Sequence, residues 1–565
     1  MADSIVPSKP VVEDVLTTTD AEVSAEQPPE EQPTKPFDEI EDPKARTKLR
    51  IGAILSSLYL VLFVAALDQT IIATTIPTIS ASLHSAMGYT WIGSAYSLAT
   101  AASGPIWSRI SDIWGRKLAL LCAVALFALA SILAAVSTKM QMLIAARALQ
   151  GTAGGGLGQL VTITISDLFS VRKRSLYMGM LGVMWAVAGS AGPPIGGALT
   201  QLASWRWCFW INLPVCGCAF ILLLLFLDVH NPRTKFSEGI KAIDWLGTIS
   251  ILAVTLLLLL GLDFGGSTFP WNSPRVICLI AVGGAMILFF LFCEKKLAKY
   301  PLMPLTVFKT RSNNAAFIVG FAHNMVSMGV EYYLPLYFQS VKQASPLRSG
   351  VLVLPMMLTM AATDMTSGFL IHKTGRYREI MWVGVSMMTL GTGLFILFDV
   401  DIPLAKIIGI EIVAGLGPAM LFQVPRIIIQ NSVSQAETSS ATSTLGFSGG
   451  LATSLSLVIG SVVFQNSMGA THSALVSAGL GAEALEALAS DKAAANVDIV
   501  KTIQDPAMRR AVQEAFAWSM RNMFITYTAI AAVAVFASAF VKHTKLRTKH
   551  EETKTGVEHL TERKG

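Results

Sequence analysis

Five ionisable residues stand where the surrounding sequence leaves them little water: Asp68 in FVAALDQTII, Arg147 in LIAARALQG, Glu331 in SMGVEYYLP, Asp364 in TMAATDMTS and Glu411 in IIGIEIVAG. A charge at the centre of an apolar span costs about 2.5–3.5 kcal/mol on insertion scales, so each needs a partner, a water-filled cavity or a protonation event. A carboxylate beside a guanidinium stays ionised, whereas one left alone in an apolar cavity takes up a proton. Movement of Asp68 relative to Arg147 is therefore one way to capture and release a proton; a permanent buried ion pair is the alternative. Glu331, next to Tyr332 and Tyr333, is a second candidate proton site or a contact for cationic substrates, unless it only lines water. Asp364 and Glu411 rank behind it. Gln69, Trp185, Tyr332, Tyr333 and Asp364 suit the wall of a broad, mainly apolar cavity. Tyr337 and Phe338, close to a span end, read as interface anchors.

The elements that must carry these residues follow from composition. Of 565 residues, 53% are hydrophobic and 14% charged, and the mean hydropathy is +0.56, which places the chain among membrane proteins. Crossing a ~30 Å hydrocarbon layer takes about 20 helical residues. Fourteen apolar runs qualify, near 51–77, 91–107, 118–137, 141–166, 176–199, 208–228, 244–262, 276–293, 315–339, 348–370, 379–398, 404–427, 438–464 and 522–541. An all-α polytopic protein follows. Asp68 and Arg147 lie about 9 and 6 residues from the outer ends of spans 1 and 4, so at ~1.5 Å per residue they share a depth and can pair.

Lys and Arg set the orientation. One side carries Arg109, Arg116, Lys117, Arg172, Lys173, Arg174, Lys295, Lys296, Arg376 and Arg378 among others, while the short loops opposite show Lys139, Arg206, Arg275, Lys342, Arg348 and Lys406. The richer side, with both termini, is expected to be cytoplasmic. Residues 1–49 include the acidic, Pro-rich EVSAEQPPEEQPTKPFDEIEDP and read as a disordered tail. The net charge of +6 belongs to membrane orientation rather than to nucleic-acid binding. The six cysteines fall in or beside spans, so no disulfide framework is expected; the eight histidines form no H-E-x-x-H or other metal-ligand cluster. No G-x-x-x-x-G-K-S/T loop is present, and neither enzyme chemistry, cofactor nor metal is expected.

A weak internal repeat organises the spans. SRISDIWGRK (Ser108–Lys117) follows span 2 and GFLIHKTGRYR (Gly368–Arg378) follows span 10, each with a Gly-Arg pair at a turn on the basic side. Two six-span halves, 50–230 and 312–541, then flank two inserted spans within 231–311, followed by a tail over 542–565.

SDIWGRK resembles the loop between helices 2 and 3 of the major facilitator superfamily, G-x-x-x-D-R-x-G-R-R, through Asp112, Gly115, Arg116 and Lys117; Ser108 and Ile113 depart from it. LDQTIIATTIP, RALQG and AGSAGPPIGG (Ala188–Gly197) are similar to the helix 1, 4 and 5 motifs of drug:proton antiporters in that superfamily. With WRWCFWINLP and YYLPLYFQ, they look like the fungal fourteen-span exporters of drugs and secondary metabolites. The resemblance covers about residues 50–465 and implies a major facilitator fold and proton-driven export of small amphipathic molecules. Partners would be substrate, protons and the lipid bilayer, and the protein would be a monomer in the cell membrane. A vacuolar transporter of basic amino acids in the same family is the alternative; a channel or a non-transporting sensor is the rival of another class.

Gly192, Pro193, Pro194, Gly196 and Gly197 combine a bend with a small-residue face. There helix 5 is expected to meet its repeat-related partner and bend as the cavity changes sides; an ordinary kinked packing motif is the alternative. Ser108, Asp112, Gly115, Arg116 and Lys117 form a candidate cytoplasmic gate. The resemblance implies that Asp112 faces the amino end of helix 13 near Thr438 and Ser439, latching the outward-open state; a solvated turn that only sets topology is the alternative. The loop 465–521, in which EALEALASDKAAANVDIVKTI and MRRAVQEAFAWSM show helical periodicity, is expected to form amphipathic helices on the membrane surface or over the outer vestibule.

Overall fold

The computed structural model describes residues 48–558 apart from 84–87, 233, 267–268, 299–300, 490–492, 494–495, 498, 549–552 and 554. The tail read as disordered lies outside the described residues up to residue 47. Helices dominate, and among the described residues the β geometry is limited to an isolated bridge between Gly265 and Phe269. The long helices are α1 (Lys48–Ser82), α2 (Gly88–Trp114), α3 (Arg116–Ala135), α4 (Met140–Leu168), α5 (Val171–Leu202), α6 (Asn212–Phe226), α7 (Trp245–Phe264), α8 (Pro274–Phe292), α9 (Arg311–Ser340), α10 (Pro346–Thr374), α11 (Tyr377–Leu394), α12 (Leu404–Leu421), α13 (Thr438–Ala470) and α14 (Pro506–Ser538). A short helix, Val424–Ser432, stands between α12 and α13.

Among the described residues there are 11 candidate membrane spans by length and composition. Helices α2, α4 and α9, with 27, 29 and 30 residues, fall outside that set although each is long enough to cross. Gly, Ser, Thr and charged residues dilute their apolar character, because much of their surface meets protein instead of lipid. The apolar cores separate in the same way. Side chains of α1 to α6 build two adjoining clusters within 54–227, while those of α9 to α14 build a larger one. Helices α7 and α8 pair with each other through Gly283 against Leu258, and Ile251, Val254 and Phe290 pack with Phe447 of α13. Phe264 of α7 also meets Trp91 of α2 edge-on at 5.8 Å. The inserted hairpin thus flanks α2 and α13.

Two expectations about this architecture change. MRRAVQEAFAWSM is not a separate surface helix: α14 begins at Pro506, where the carboxylate of Asp505 accepts from the Ala507 and Met508 amides. Its first turns are amphipathic, so the apolar run that marks a span starts only later. Tyr337 and Phe338 are fully buried in the core of the second half, and Tyr337 donates to the Asp399 carbonyl at 2.7 Å, so they are not interface anchors. An aromatic near a span end looks the same in sequence whether it faces headgroups or a neighbouring helix.

The Arg147 region of α4 depends on how closely α2 approaches. A side chain at Gly151 would overlap the Tyr96 carbonyl, and one at Gly155 the Thr100 carbonyl, whereas Gly158 faces open space. Thr100 donates to the Gly151 carbonyl at 3.0 Å and Trp107 to the Thr152 carbonyl at 2.8 Å, closing the contact. Overpacking a close contact costs about 1–3 kcal/mol. Gly155→Leu should therefore lower the thermal midpoint of the detergent-purified protein by several degrees, while Gly158→Leu leaves it near the parent value.

Candidate functional site

The structure brings Asp68 and Arg147 together, and does so inside the first half. Both are fully buried, and Arg147 Nη1 donates to Asp68 Oδ2 at 2.5 Å. The other carboxylate oxygen accepts from Asn212 Nδ2 at 2.7 Å and Gln150 Nε2 at 3.2 Å. Gln150 and Asn212 both donate to Ser131 Oγ, and Arg147 donates to the Ile92 carbonyl with its guanidinium 4.4 Å from the Tyr96 ring centre. The sequence reading missed Gln150, Asn212, Ser131 and Tyr96. Gln150 was visible as the residue three after Arg147, on the same helical face, and Asn212 as a polar residue inside WRWCFWINLP.

Gln69 points away from this network and is exposed, as are Trp185 (39%) and Tyr332 (57%). Tyr333 is not part of an open wall: it is buried against Gly460 and donates to the Leu457 carbonyl at 2.8 Å. Successive helical residues point about 100° apart, so the adjacent tyrosines serve opposite surroundings.

Asp364 is likewise buried, in the seam where α10 meets α5 of the other half. A side chain at Gly182 would overlap its Oδ2, and one at Gly179 would come within 3.0 Å of its carbonyl oxygen. Its Oδ1 accepts from Gln423 Nε2 at 2.5 Å. Asp364 therefore fills an inter-half contact, not the wall of a broad cavity. Glu331 lines a small cavity inside the second half with Ser327, Met356, Met360, Thr392, Phe395 and Pro418. One turn further, Ser327 meets His323 at 3.4 Å. Glu411 is fully buried with no hydrogen-bond partner for either carboxylate oxygen among the described residues.

The glycine-proline segment also lies differently from expectation. Helix α5 runs unbroken through Pro193 and Pro194. The close approach at Gly192 is to Thr70 and Ile71 of α1, in the same half, and Thr70 donates to the Ala188 carbonyl at 2.9 Å. Gly192 and Gly196 are buried, while Gly189 and Gly197 leave open space. The meeting with the other half occurs nearer the start of α5, at Gly179 and Gly182.

The gate residues converge at the basic end. Gly115 turns the chain at φ +93, with Pro232 only 2.9 Å from where a side chain would begin, so glycine is required on two counts. Gly375 in the second Gly-Arg pair has φ +72, the same solution at the repeat-related turn. Arg116 is buried between two carboxylates, Asp112 at 2.5 Å and Asp167 at 2.6 Å, and Lys117 donates to the Leu224 carbonyl. Asp167, at the end of α4, was not anticipated. Ser108 meets Ser439 at 2.9 Å, so α2 reaches the amino end of α13 one turn before Asp112. Arg174 bonds Gln430 and Gln435, Gln430 donates to Ser166, and Arg172 donates to the carbonyls of His372 and Lys373. These contacts tie the halves together and close this end.

A family model described as Major Facilitator Superfamily matches residues 58–457. Among curated proteins, an efflux pump, dotC, of Dothistroma septosporum is 43% identical over 508 residues, spanning 90% of this chain and 87% of that one. An MFS-type transporter, ppz2, of Metarhizium majus is 43% identical over 512 residues, 91% of this chain and 88% of the relative. Among solved structures, the human organic anion transporter MFSD10 aligns with a TM-score of 0.52 at 15% identity, covering 86% of this chain and 99% of that one, a likeness of fold.

Removing one member of a buried ion pair strands the other and typically costs about 3–5 kcal/mol. Arg147→Met should thus destabilise the purified protein strongly in thermal unfolding. The double variant Asp68→Asn with Arg147→Met should recover much of that loss, because no charge is then left unpaired.

Proposed function

The chain belongs to the major facilitator superfamily, and from that premise we propose that it is a proton-coupled antiporter exporting small amphipathic molecules by alternating access. The observation that carries this reading is a pairing of two features. A carboxylate–guanidinium pair is sealed within the first half, and a separate network of contacts ties the halves together at the basic end. We take that end as cytoplasmic, following the positive-inside rule, and assign fourteen crossings by adding α2, α4 and α9 to the candidate spans. The arrangement is then a carrier closed to the cytoplasm, acting as a monomer in the cell membrane. The efflux pump name of the Dothistroma relative supports the export direction.

Asp68 and Arg147 are the proposed coupling pair. Arg147, Asn212 and Gln150 all donate to the Asp68 carboxylate. A shift of α1 against α4 that loosens the Arg147 contact leaves a carboxylate in an apolar setting, and a proton then replaces the guanidinium. Glu331 is the second candidate, reached through its own cavity inside the other half. Gln69, Trp185 and Tyr332 are the proposed substrate-facing residues, since each presents exposed polar or aromatic surface. Asp364 acts with them only if the α5–α10 seam parts.

Reconstituted protein with an imposed pH gradient should accumulate members of a panel of amphipathic dyes uphill, and a protonophore should abolish this. Asp68→Asn should reach the membrane but lose uphill accumulation and the pH dependence of exchange; full retention of both would overturn the assignment. Gly192→Leu, which pushes α5 away from Thr70, should insert normally and transport poorly.

A further inference from the structure

The described residues beyond α14 lie across the basic end of both halves. It first binds the second half. The His543 ring stacks on Tyr377 with centres 5.4 Å apart, and the Thr544 amide donates to the Tyr377 hydroxyl at 2.8 Å. Asn431 donates to Thr544 Oγ1 at 2.9 Å, and Arg547 donates to the carbonyls of Gln430 and Val433, just before α13. The chain then crosses. The Arg172 amide, at the start of α5, donates to the Arg547 carbonyl at 3.3 Å. Thr553 Oγ1 donates to Asp167 Oδ1 of α4 at 2.8 Å and accepts from Gln435 Nε2 of the other half at 2.8 Å. Beyond it the Thr555 amide donates to His230 Nδ1, the Gly556 amide donates to the Asp112 carbonyl, and Val557 packs beside Ile113 and Trp114.

We propose that the described residues after α14, 541–548 with Thr553 and 555–558, act as a releasable strap that holds the two halves together at the gate, so that its docking sets how often this end opens. Thr553 is the crosspiece: one hydroxyl bridges an acid of the first half and an amide of the second. The acid is the one that Arg116 already uses, so the strap is coupled to the gate's own ion pairs. Separation of α4 and α5 from the segment around Gln430 to Gln435 cannot preserve both bonds of Thr553, nor both attachments of Arg547. Opening this end therefore requires the strap to let go of one half. The strap's consequence for transport rests on the alternating-access reading, whereas its docking does not.

The test uses full-length protein in lipid nanodiscs, with the native cysteines replaced and spin labels on Lys173→Cys and Glu379→Cys, exposed positions on opposite halves at this end. Thr553→Glu sets a carboxylate against Asp167 and should detach the crosspiece. The population with widely separated labels should rise roughly fivefold, the factor that about one net hydrogen bond is worth. Truncation after Phe540 should raise it at least as much. Thr548→Glu adds the same charge at an exposed strap position and should leave the distribution unchanged. Trypsin should cut at Lys545 and Arg547 faster in Thr553→Glu than in the parent. An unchanged distance distribution in Thr553→Glu, or an equal rise in Thr548→Glu, overturns the proposal, and neither outcome depends on the truncated protein folding. Label distances that respond as expected in a protein that moves nothing uphill would uphold the strap and sink the transport reading.

Discussion

The carboxylate of Asp68 has no water to turn to, and its demand for donors fixes the first half of the molecule. It stands on α1. Arg147 and Gln150 reach it from α4 and Asn212 from α6, while Ser131 on α3 receives bonds from both amides. Arg147 is braced in turn by the Ile92 carbonyl and the Tyr96 ring on α2. Two residues past Asp68, Thr70 ties α1 to α5. One acidic side chain and its near neighbours therefore register all six helices of that half. In hydrocarbon this is a stronger constraint than shape alone, because lipid competes with apolar packing but offers nothing to a charge.

The second half is organised without such a centre. Its carboxylates Asp364 and Glu411 are buried and Glu331 is half-buried, and Asp364 is met by an amide, Gln423. Packing and neutral bonds do the work there: Tyr333 and Tyr527 donate to carbonyls of α13, and Tyr337 to that of Asp399. The halves thus share the glycine turn of a repeat while burying charge in different ways. The repeat is legible in the positive φ of Gly115 and Gly375 and not in the placement of acids.

The same distinction explains what could be read from the sequence. Asp68 and Arg147 announced themselves because a charge in an apolar run is rare and depth along a helix can be counted. The helical class, the family motifs and the gate turn were legible for a similar reason, since each is a local pattern. Facing was not. Tyr332 and Tyr333 are neighbours in sequence, yet one is exposed and the other is core; Asp364 was indistinguishable from a cavity residue until Gly182 was seen against it. Gly192 signalled close approach correctly but not its partner, which is α1. Neutral donors such as Gln150 and Asn212 carry no charge to mark them, and they complete the site. The start of α14 was lost because an amphipathic first turn has no apolar run to detect.

The proposed gate and the proposed coupling site would make opposite demands, and the two networks differ in chemistry accordingly. The inter-half contacts at the basic end join guanidinium groups to amides and carbonyls, Arg174 with Gln430 and Gln435 and Arg172 with two carbonyls, and one hydroxyl to another, Ser108 with Ser439. These groups lie at helix ends, where parting the halves admits water. Each bond is then exchanged for one to solvent, at a net cost of about 0.5–1.5 kcal/mol for a neutral pair and about 1.5–3 kcal/mol where a guanidinium donates. The Arg116 pairs lie within one half, so the charges that would be expensive to strand stay partnered in either state. Asp68 enjoys no such exchange at mid-depth. Separating it from Arg147 without water leaves a charge that only a proton can remove. On the proposed reading, parting the gate exchanges bonds with water while loosening the coupling pair does not, and a proton arriving at Asp68 would offset the cost of the second event.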